Sequence, residues 1–321
     1  MQKRNLHALG KIIAVFLGLA AVVEISVRVS GLVDFPIYRV DSAIGYLAMP
    51  NQAGQFLRKN DWAFNDKSMA TTTPWTPNLR PNILLIGNSV VMGGNPYEQK
   101  DKLGNLVGID VGARYSVWPI AAGGWSSVNE VAYLQREPDV VSKANFFVWE
   151  YMAGGLSALS GWRGDYVFPT RRPVCASCYA FRRYVLPRLM SLPTNELPPK
   201  GPLAVEHLAE FERSVDQLSR VVGSRHPGII FLYPDKQQTL MAKGSEEWLP
   251  ERRSIQAVCA RHGLILVDIA ADPRWTTSLY RDGTHPTVQG NDVLAHILTA
   301  AIIEANASNE SPPKVAVGAA T

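Results

Sequence analysis

Cysteine is scarce, with three in 321 residues, and histidine hardly less so, with six. A structural zinc centre needs two Cys-x-x-Cys pairs or one pair with spaced histidines, and the single pair Cys175-Ala176-Ser177-Cys178 has no such complement. No metal site and no cofactor is therefore expected. That pair follows no strand and lies among Arg, Pro and aromatic residues, which argues against a thioredoxin-like redox motif. A local disulfide and two unpaired thiols remain the two readings. Cys259, among the helical apolar neighbours of Ile255-Gln256-Ala257-Val258-Cys259, reads as core. Net charge is also small, +4, and no Lys/Arg block interleaves with aromatics, which argues against a nucleic-acid partner. No internal repeat is evident.

What is present begins at the N-terminus. Lys3, Arg4 and Lys11 lead into an uninterrupted apolar run from Ile12 to Val23, and Ala8 to Val27 gives about the twenty residues a spanning helix needs. The basic flank predicts an N-in orientation, with Glu24 and Arg28 at the outer interface. A retained anchor is the reading adopted, and a secretory signal cleaved near Gly18-Leu19-Ala20 is its rival. Either route places the remainder outside the cytoplasm. The expected location is the inner membrane, single-pass, with the domain facing the periplasm.

Residues 31–80 are rich in Asn, Pro, Thr and Trp without sustained periodicity and read as an irregular connector packed on the domain. Five apolar runs follow, Ile83 to Ile86, Tyr115 to Ile120, Phe146 to Trp149, Ile229 to Tyr233 and Leu264 to Asp268, each with the character of a buried parallel strand. Helical patterns alternate with them at Ser126 to Arg136, Leu203 to Val222, Glu251 to His262 and Val288 to Glu304. The expected fold is α/β, a doubly wound parallel sheet of about five strands over residues 81–305. Residues 152–202 interrupt the alternation with Arg171, Arg172, Arg182, Arg183, aromatics and prolines. This stretch reads as an insertion beside the site, suited to an anionic or sugar substrate or else a solvated structural excursion. The tail, 306–321, reads as disordered.

Ser89 ends the first run, in Ile86-Gly87-Asn88-Ser89, and Asp282-Gly283-Thr284-His285 comes far later. A hydroxyl at a turn after a buried strand is exposed but inert without a base. A histidine can supply that base, and an aspartate three residues earlier can orient its imidazole. The chemistry indicated is acyl transfer. The Gly-x-Ser-x-Gly elbow is absent, since Val90 and Val91 follow the serine, and acid and base share one loop.

In these features residues 80 to 305 resemble the SGNH, or GDSL-type, hydrolases. That resemblance implies Ser89 as nucleophile, with Asn88 where Asp is more frequent, and Asp282 and His285 as the other triad members. It implies an oxyanion hole from the Ser89 amide and a glycine of Ala121-Ala122-Gly123-Gly124-Trp125, with Gly124 preferred and Gly123 in reserve. The Gly-x-Asn-Asp expected after the third strand is replaced by Phe147-Val148-Trp149-Glu150-Tyr151-Met152, so the side-chain oxyanion donor is missing. Either the two amides suffice, or Asn129 or Tyr151 substitutes, or hydrolytic power is low. Glu24 to Arg28 at the end of the anchor, and Tyr233-Pro234-Asp235-Lys236, are similar to features of membrane-attached enzymes that add or remove acyl groups on bacterial exopolysaccharides. Asn88, Trp125 and Lys236 are accordingly the candidate substrate-contacting residues. The expected activity is hydrolysis of an O-acyl, chiefly O-acetyl, ester on a glycan. Polysaccharide O-acetyltransfer by the same triad is the first alternative, and a weakly active glycan-binding or scaffold protein in a polysaccharide synthesis complex is the second.

Overall fold

The computed structural model describes residues 2–190, 201–223, 228–242 and 248–310. Residues 191–200 of the expected insertion and 311–321 of the expected tail lie outside them. Helix α1 (Gln2–Val29) contains a 21-residue stretch, Leu9–Val29, of mean hydropathy 2.3, exposed except where Glu24 and Val27 are partly covered by the domain. It is long and apolar enough to cross a membrane.

The connector is more regular than its sequence indicates. It forms two antiparallel hairpins, β1 (Tyr38–Asp41) with β2 (Gly45–Ala48), and β3 (Gln52–Phe56) with β4 (Asn60–Phe64). Strand alternation is hidden because β2 is buried throughout, so its sequence carries no polar face. Tyr46 of β2 is fully buried, its ring stacked at 4.0 Å on Phe168.

The expected strands all form: β5 (Asn82–Gly87), β6 (Ser116–Ala121), β7 (Phe146–Tyr151), β8 (Ile229–Leu232) and β9 (Ile265–Asp268). They make one parallel sheet in the order β6-β5-β7-β8-β9. The first strand of the domain thus lies inside the sheet with its successors on both flanks, and the crevice beyond its carboxyl end is the topological switch point where ligands bind in such sheets. β5 and β7 are buried at every position, as strands covered on both faces must be.

The helices are α2 (Ser89–Met92), α3 (Leu103–Asp110), α4 (Ser127–Arg136), α5 (Pro138–Val141), α6 (Ala176–Ala180), α7 (Leu186–Leu189), α8 (Val205–Val222), α9 (Lys236–Met241), α10 (Arg252–His262) and α11 (Val288–Glu310). α3 has no counterpart among the expected helices, because Gly104 and Gly108 dilute its pattern. Gly104 is there for packing: a Cβ on it would lie 2.3 Å from the Pro119 ring of β6. α11 continues past Asn306, where the sequence places the start of the tail, to Glu310.

Lys102 is 4% exposed, and its ammonium donates to Gln99 Oε1 at 2.8 Å and Asp61 O at 3.2 Å. Burial pulls its pKa down to about 8. Between that value and the ordinary lysine value of about 10.4, the unfolded chain holds a proton the folded chain has released, so folding gains stability as pH rises through this window. We expect urea titrations to show the wild type gaining about 2 kcal/mol more than Lys102→Met between pH 7.5 and 10. Parallel pH profiles for the two proteins would refute this.

Candidate active site

Ser89 is delivered by the end of β5. Gly87, the last strand residue, admits no side chain: a Cβ would meet Glu150 Oε2 at 2.3 Å and Val91 Cγ2 at 2.5 Å. Asn88 caps α2, its Oδ1 accepting from the Val90 amide at 3.0 Å. The four-residue helix then starts at Ser89, so its amide lies in a first turn where no intrahelical acceptor exists. Among the described residues neither the Ser89 nor the Gly124 amide has a protein acceptor. Gly124 has φ +78°, a conformation that favours glycine.

Residues 196 positions apart in sequence meet here. His285 Nε2 is 2.9 Å from Ser89 Oγ, and His285 Nδ1 is 3.0 Å from both Asp282 carboxylate oxygens. A donor on Nδ1 leaves Nε2 as the basic nitrogen facing the hydroxyl, the tautomer required for a general base. Burial works against the ionised Asp282 carboxylate, but the amides of His285 and Thr284, the imidazole and Arg281 outweigh it and hold its pKa well below the carboxylate range. The amide donors lie at 2.8 and 2.9 Å and the Arg281 guanidinium at 3.0 Å. Asp282 is therefore ionised at neutral pH, as an orienting carboxylate must be.

Three tyrosines fix this loop, and the sequence did not single out two of them. Tyr233, fully buried after β8, donates its hydroxyl to Thr284 O at 2.8 Å; Tyr97 donates to Pro286 O; and Tyr280 donates to Pro234 O. Tyr280 also pairs across the loop with Pro286 in an isolated antiparallel bridge, and Arg281 N donates to His285 O at 2.8 Å. Their signal in the sequence is only position, an aromatic with a polar tip at the end of a buried strand or beside the Asp-x-x-His segment.

Glu150 is the other residue missed. It is 1% exposed at the end of β7, and its Oε2 accepts the Asn88 amide at 3.0 Å. A carboxylate closing an otherwise apolar strand was a visible clue. It fixes the turn before Ser89, where its Oε2 is spent as an acceptor.

The other candidates divide. Asn88 and Trp125 line a cavity of about 350 Å³ beside the serine turn, with Gly124, Glu130, Glu150, Met152, Leu159 and several serines. Trp125 is 6% exposed, and its indole N–H is spent on Tyr46 O at 2.8 Å, so it forms wall rather than a free stacking face. Asn88 is likewise engaged as a cap, and its Nδ2 reaches Met152 Sδ at 3.0 Å. Lys236 is exposed at the start of α9 and meets the triad loop through its backbone, its amide donating to Gly283 O at 2.9 Å. Asn129 is no oxyanion donor: its Nδ2 is spent on Ile44 O at 2.7 Å and Ser160 O at 2.8 Å, because it pins the β1-β2 hairpin to α4. Tyr151 is completely buried, with Phe211 at 6.2 Å, and is turned into the core. Gly123 offers its carbonyl to the Tyr46 hydroxyl at 2.8 Å.

The interrupting segment, too, splits in two. Met152, Gly154, Gly155 and residues 157–160 line the cavity. The arginine-rich part turns away to the connector, where Arg172 donates to Val33 O and Phe35 O and pairs with Asp34 at 3.3 Å. Arg182 lies over the Tyr166 ring at 3.8 Å. Cys175 and Cys178 are joined as a disulfide, and Cys259 is free and buried. Among the described residues no cluster of His, Cys, Asp or Glu could hold a metal.

No protein-family model and no curated protein matches the chain. Solved structures similar to it include a carbohydrate acetylesterase from Sinorhizobium meliloti, 12% identical, covering 70% of this chain and 99% of that one, TM-score 0.42. A lipase/acylhydrolase from Enterococcus faecalis is 16% identical over 69% of this chain and 95% of that one, TM-score 0.43. A two-domain esterase active on acetylated mannans is 13% identical over 73% of this chain and 52% of that one, TM-score 0.45. The chain is thus a doubly wound parallel α/β sheet with a serine after the sheet's first strand facing an Asp-x-x-His loop before the last helix.

Proposed function

We propose that this protein is a serine-dependent acyl ester hydrolase whose substrate is an O-acylated glycan, with acetyl as the acyl group. The observation that carries the reading is the continuous line from Asp282 through His285 to Ser89, with contacts of 3.0 and 2.9 Å. His285 takes the Ser89 proton as Oγ attacks the ester carbonyl, and Asp282 holds the imidazole and balances its charge. The Ser89 and Gly124 amides receive the oxyanion, each donor worth about 3 kcal/mol in the transition state. His285 returns the proton to the departing sugar hydroxyl, leaving an acyl-Ser89. Water, activated by the same imidazole, then releases the carboxylic acid. The glycan assignment rests on the motif resemblance to membrane-attached polysaccharide enzymes.

The missing side-chain oxyanion donor after the third strand favours a second reading, in which a sugar hydroxyl replaces water and the protein is an O-acetyltransferase. Incubation of the full-length protein in detergent with p-nitrophenyl acetate and an acetylated polysaccharide, with and without a deacetylated acceptor, tests both. Acetate release independent of acceptor supports the hydrolase. Acetyl transfer with little free acetate supports the transferase. Acetate release or transfer that survives in a folded Ser89→Ala protein overturns the nucleophile itself.

Lys3, Arg4 and Lys11 in the first turns of α1 support a domain on the extracytoplasmic side, and the Cys175–Cys178 disulfide fits an oxidising compartment.

A further inference from the structure

The last turns of α1 are clamped to the segment around the disulfide. Glu24 accepts from the Ala176 and Ser177 amides at 2.8 Å each and from the Ser177 hydroxyl at 2.7 Å, while Arg28 donates to Val174 O at 2.6 Å. Val27 and Tyr179 pack between them on Val33, Phe35 and Ala176. A carboxylate within an apolar span is costly unless its hydrogen bonds are supplied by protein. The donors that satisfy Glu24 therefore travel with it to the bilayer boundary. Glu24 to Arg28 spans about 6 Å along the helix axis, close to the thickness of one headgroup layer.

From that clamp α6, a π-helical turn (Phe181–Val185) and α7 run on in succession. The inner face is small and buried, at Ala176 and Ala180. The outer side carries Phe181, Val185 and Leu189 at intervals of four, 50%, 41% and 71% exposed, with Val174 at 89% beside the clamp. Arg171, Arg182 and Arg188 are exposed on the same stretch. Apolar residues outward with arginines around them invert the usual surface helix and match a helix lying in a headgroup layer.

We propose that residues 174–190 are an interfacial membrane-binding element: Phe181, Val185 and Leu189 enter the outer leaflet and the arginines meet lipid phosphates. Together with α1 this fixes the domain to the bilayer at two places. The proposal rests on α1 spanning the membrane and is independent of the catalytic reading.

The test uses the full chain in vesicles of three parts phosphatidylethanolamine to one of phosphatidylglycerol, with nitroxide labels on Leu189→Cys, Val15→Cys in α1 and Val205→Cys on α8. Cys259 is excluded from labelling because burial pushes its thiol up to about 12. We expect the ratio of oxygen to aqueous nickel-complex accessibility at Leu189→Cys to exceed that at Val205→Cys by roughly fivefold, with Val15→Cys deeper still. Equal ratios at positions 189 and 205, with position 15 in hydrocarbon, overturn the proposal. Spin–spin broadening at position 189 overturns it in favour of a second copy. A water-exposed Val15 label overturns the spanning reading and the proposal with it. None of these outcomes touches the esterase assay, so the two readings fail separately.

Discussion

Replacing Ser89 by alanine is expected to abolish turnover, lowering kcat for an activated acetate ester by roughly 10⁴-fold or more while the protein remains folded. The hydroxyl is half-buried and its described contacts are the imidazole at 2.9 Å and Asn88 Oδ1 at 3.4 Å, so its loss leaves no core cavity. His285→Ala should cost about as much, because each residue acts only through the other, and the double variant should be little worse than either single one. Asp282→Asn is the more discriminating change. An amide can donate to Nδ1 and stabilise the wrong tautomer, so about a 10³- to 10⁴-fold loss is expected with binding unchanged. Steady-state kinetics beside circular dichroism decide the matter. Retained turnover in a folded Ser89→Ala protein would remove the proposed mechanism.

Gly87→Ala is expected to have the largest effect on stability of any single methyl added near the site. The new Cβ would sit 2.3 Å from Glu150 Oε2, 2.9 Å from Glu150 Cβ and 2.5 Å from Val91 Cγ2. All three belong to buried, short-reach groups on β7 and α2, which cannot swing aside as an exposed side chain can. Overpacking of this kind costs about 3 kcal/mol, and relief requires moving Glu150 away from the Asn88 amide. Thermal unfolding should fall by several degrees, and kcat should fall as well, because the turn that aims Ser89 at His285 is displaced. A variant with wild-type stability would show that β7 yields at Glu150, and that the carboxylate is not a rigid support.

The five strands of the sheet could be read from the chain because each is a short apolar run, buried throughout in β5, β7 and β8 and in part in the edge strands β6 and β9, so that hydrophobicity alone marks it. The Ser89 turn and the Asp282-Gly283-Thr284-His285 segment could be read because chemistry restricts which residue types serve. The β1–β4 hairpins could not, since burial of both faces of β2 erases alternation, nor could α3, whose Gly104 is required by contact with Pro119 rather than by helix preference. Asn129 illustrates a further limit. Its polarity marks it as a possible donor, and only the positions of Ile44 and Ser160 show that its amide protons are already taken.

Composition and local periodicity set the five sheet strands and the apolar length of α1, and side-chain chemistry singles out Ser89, His285 and Asp282 as a nucleophile, a base and its orienting acid. The tertiary structure alone decided that 196 positions of separation close to 2.9 Å, that tyrosines from three separate segments hold the histidine loop, and that Glu24 joins the anchor to residues 176 and 177. Such contacts depend on where chain segments cross in space, and local propensity leaves no record of them.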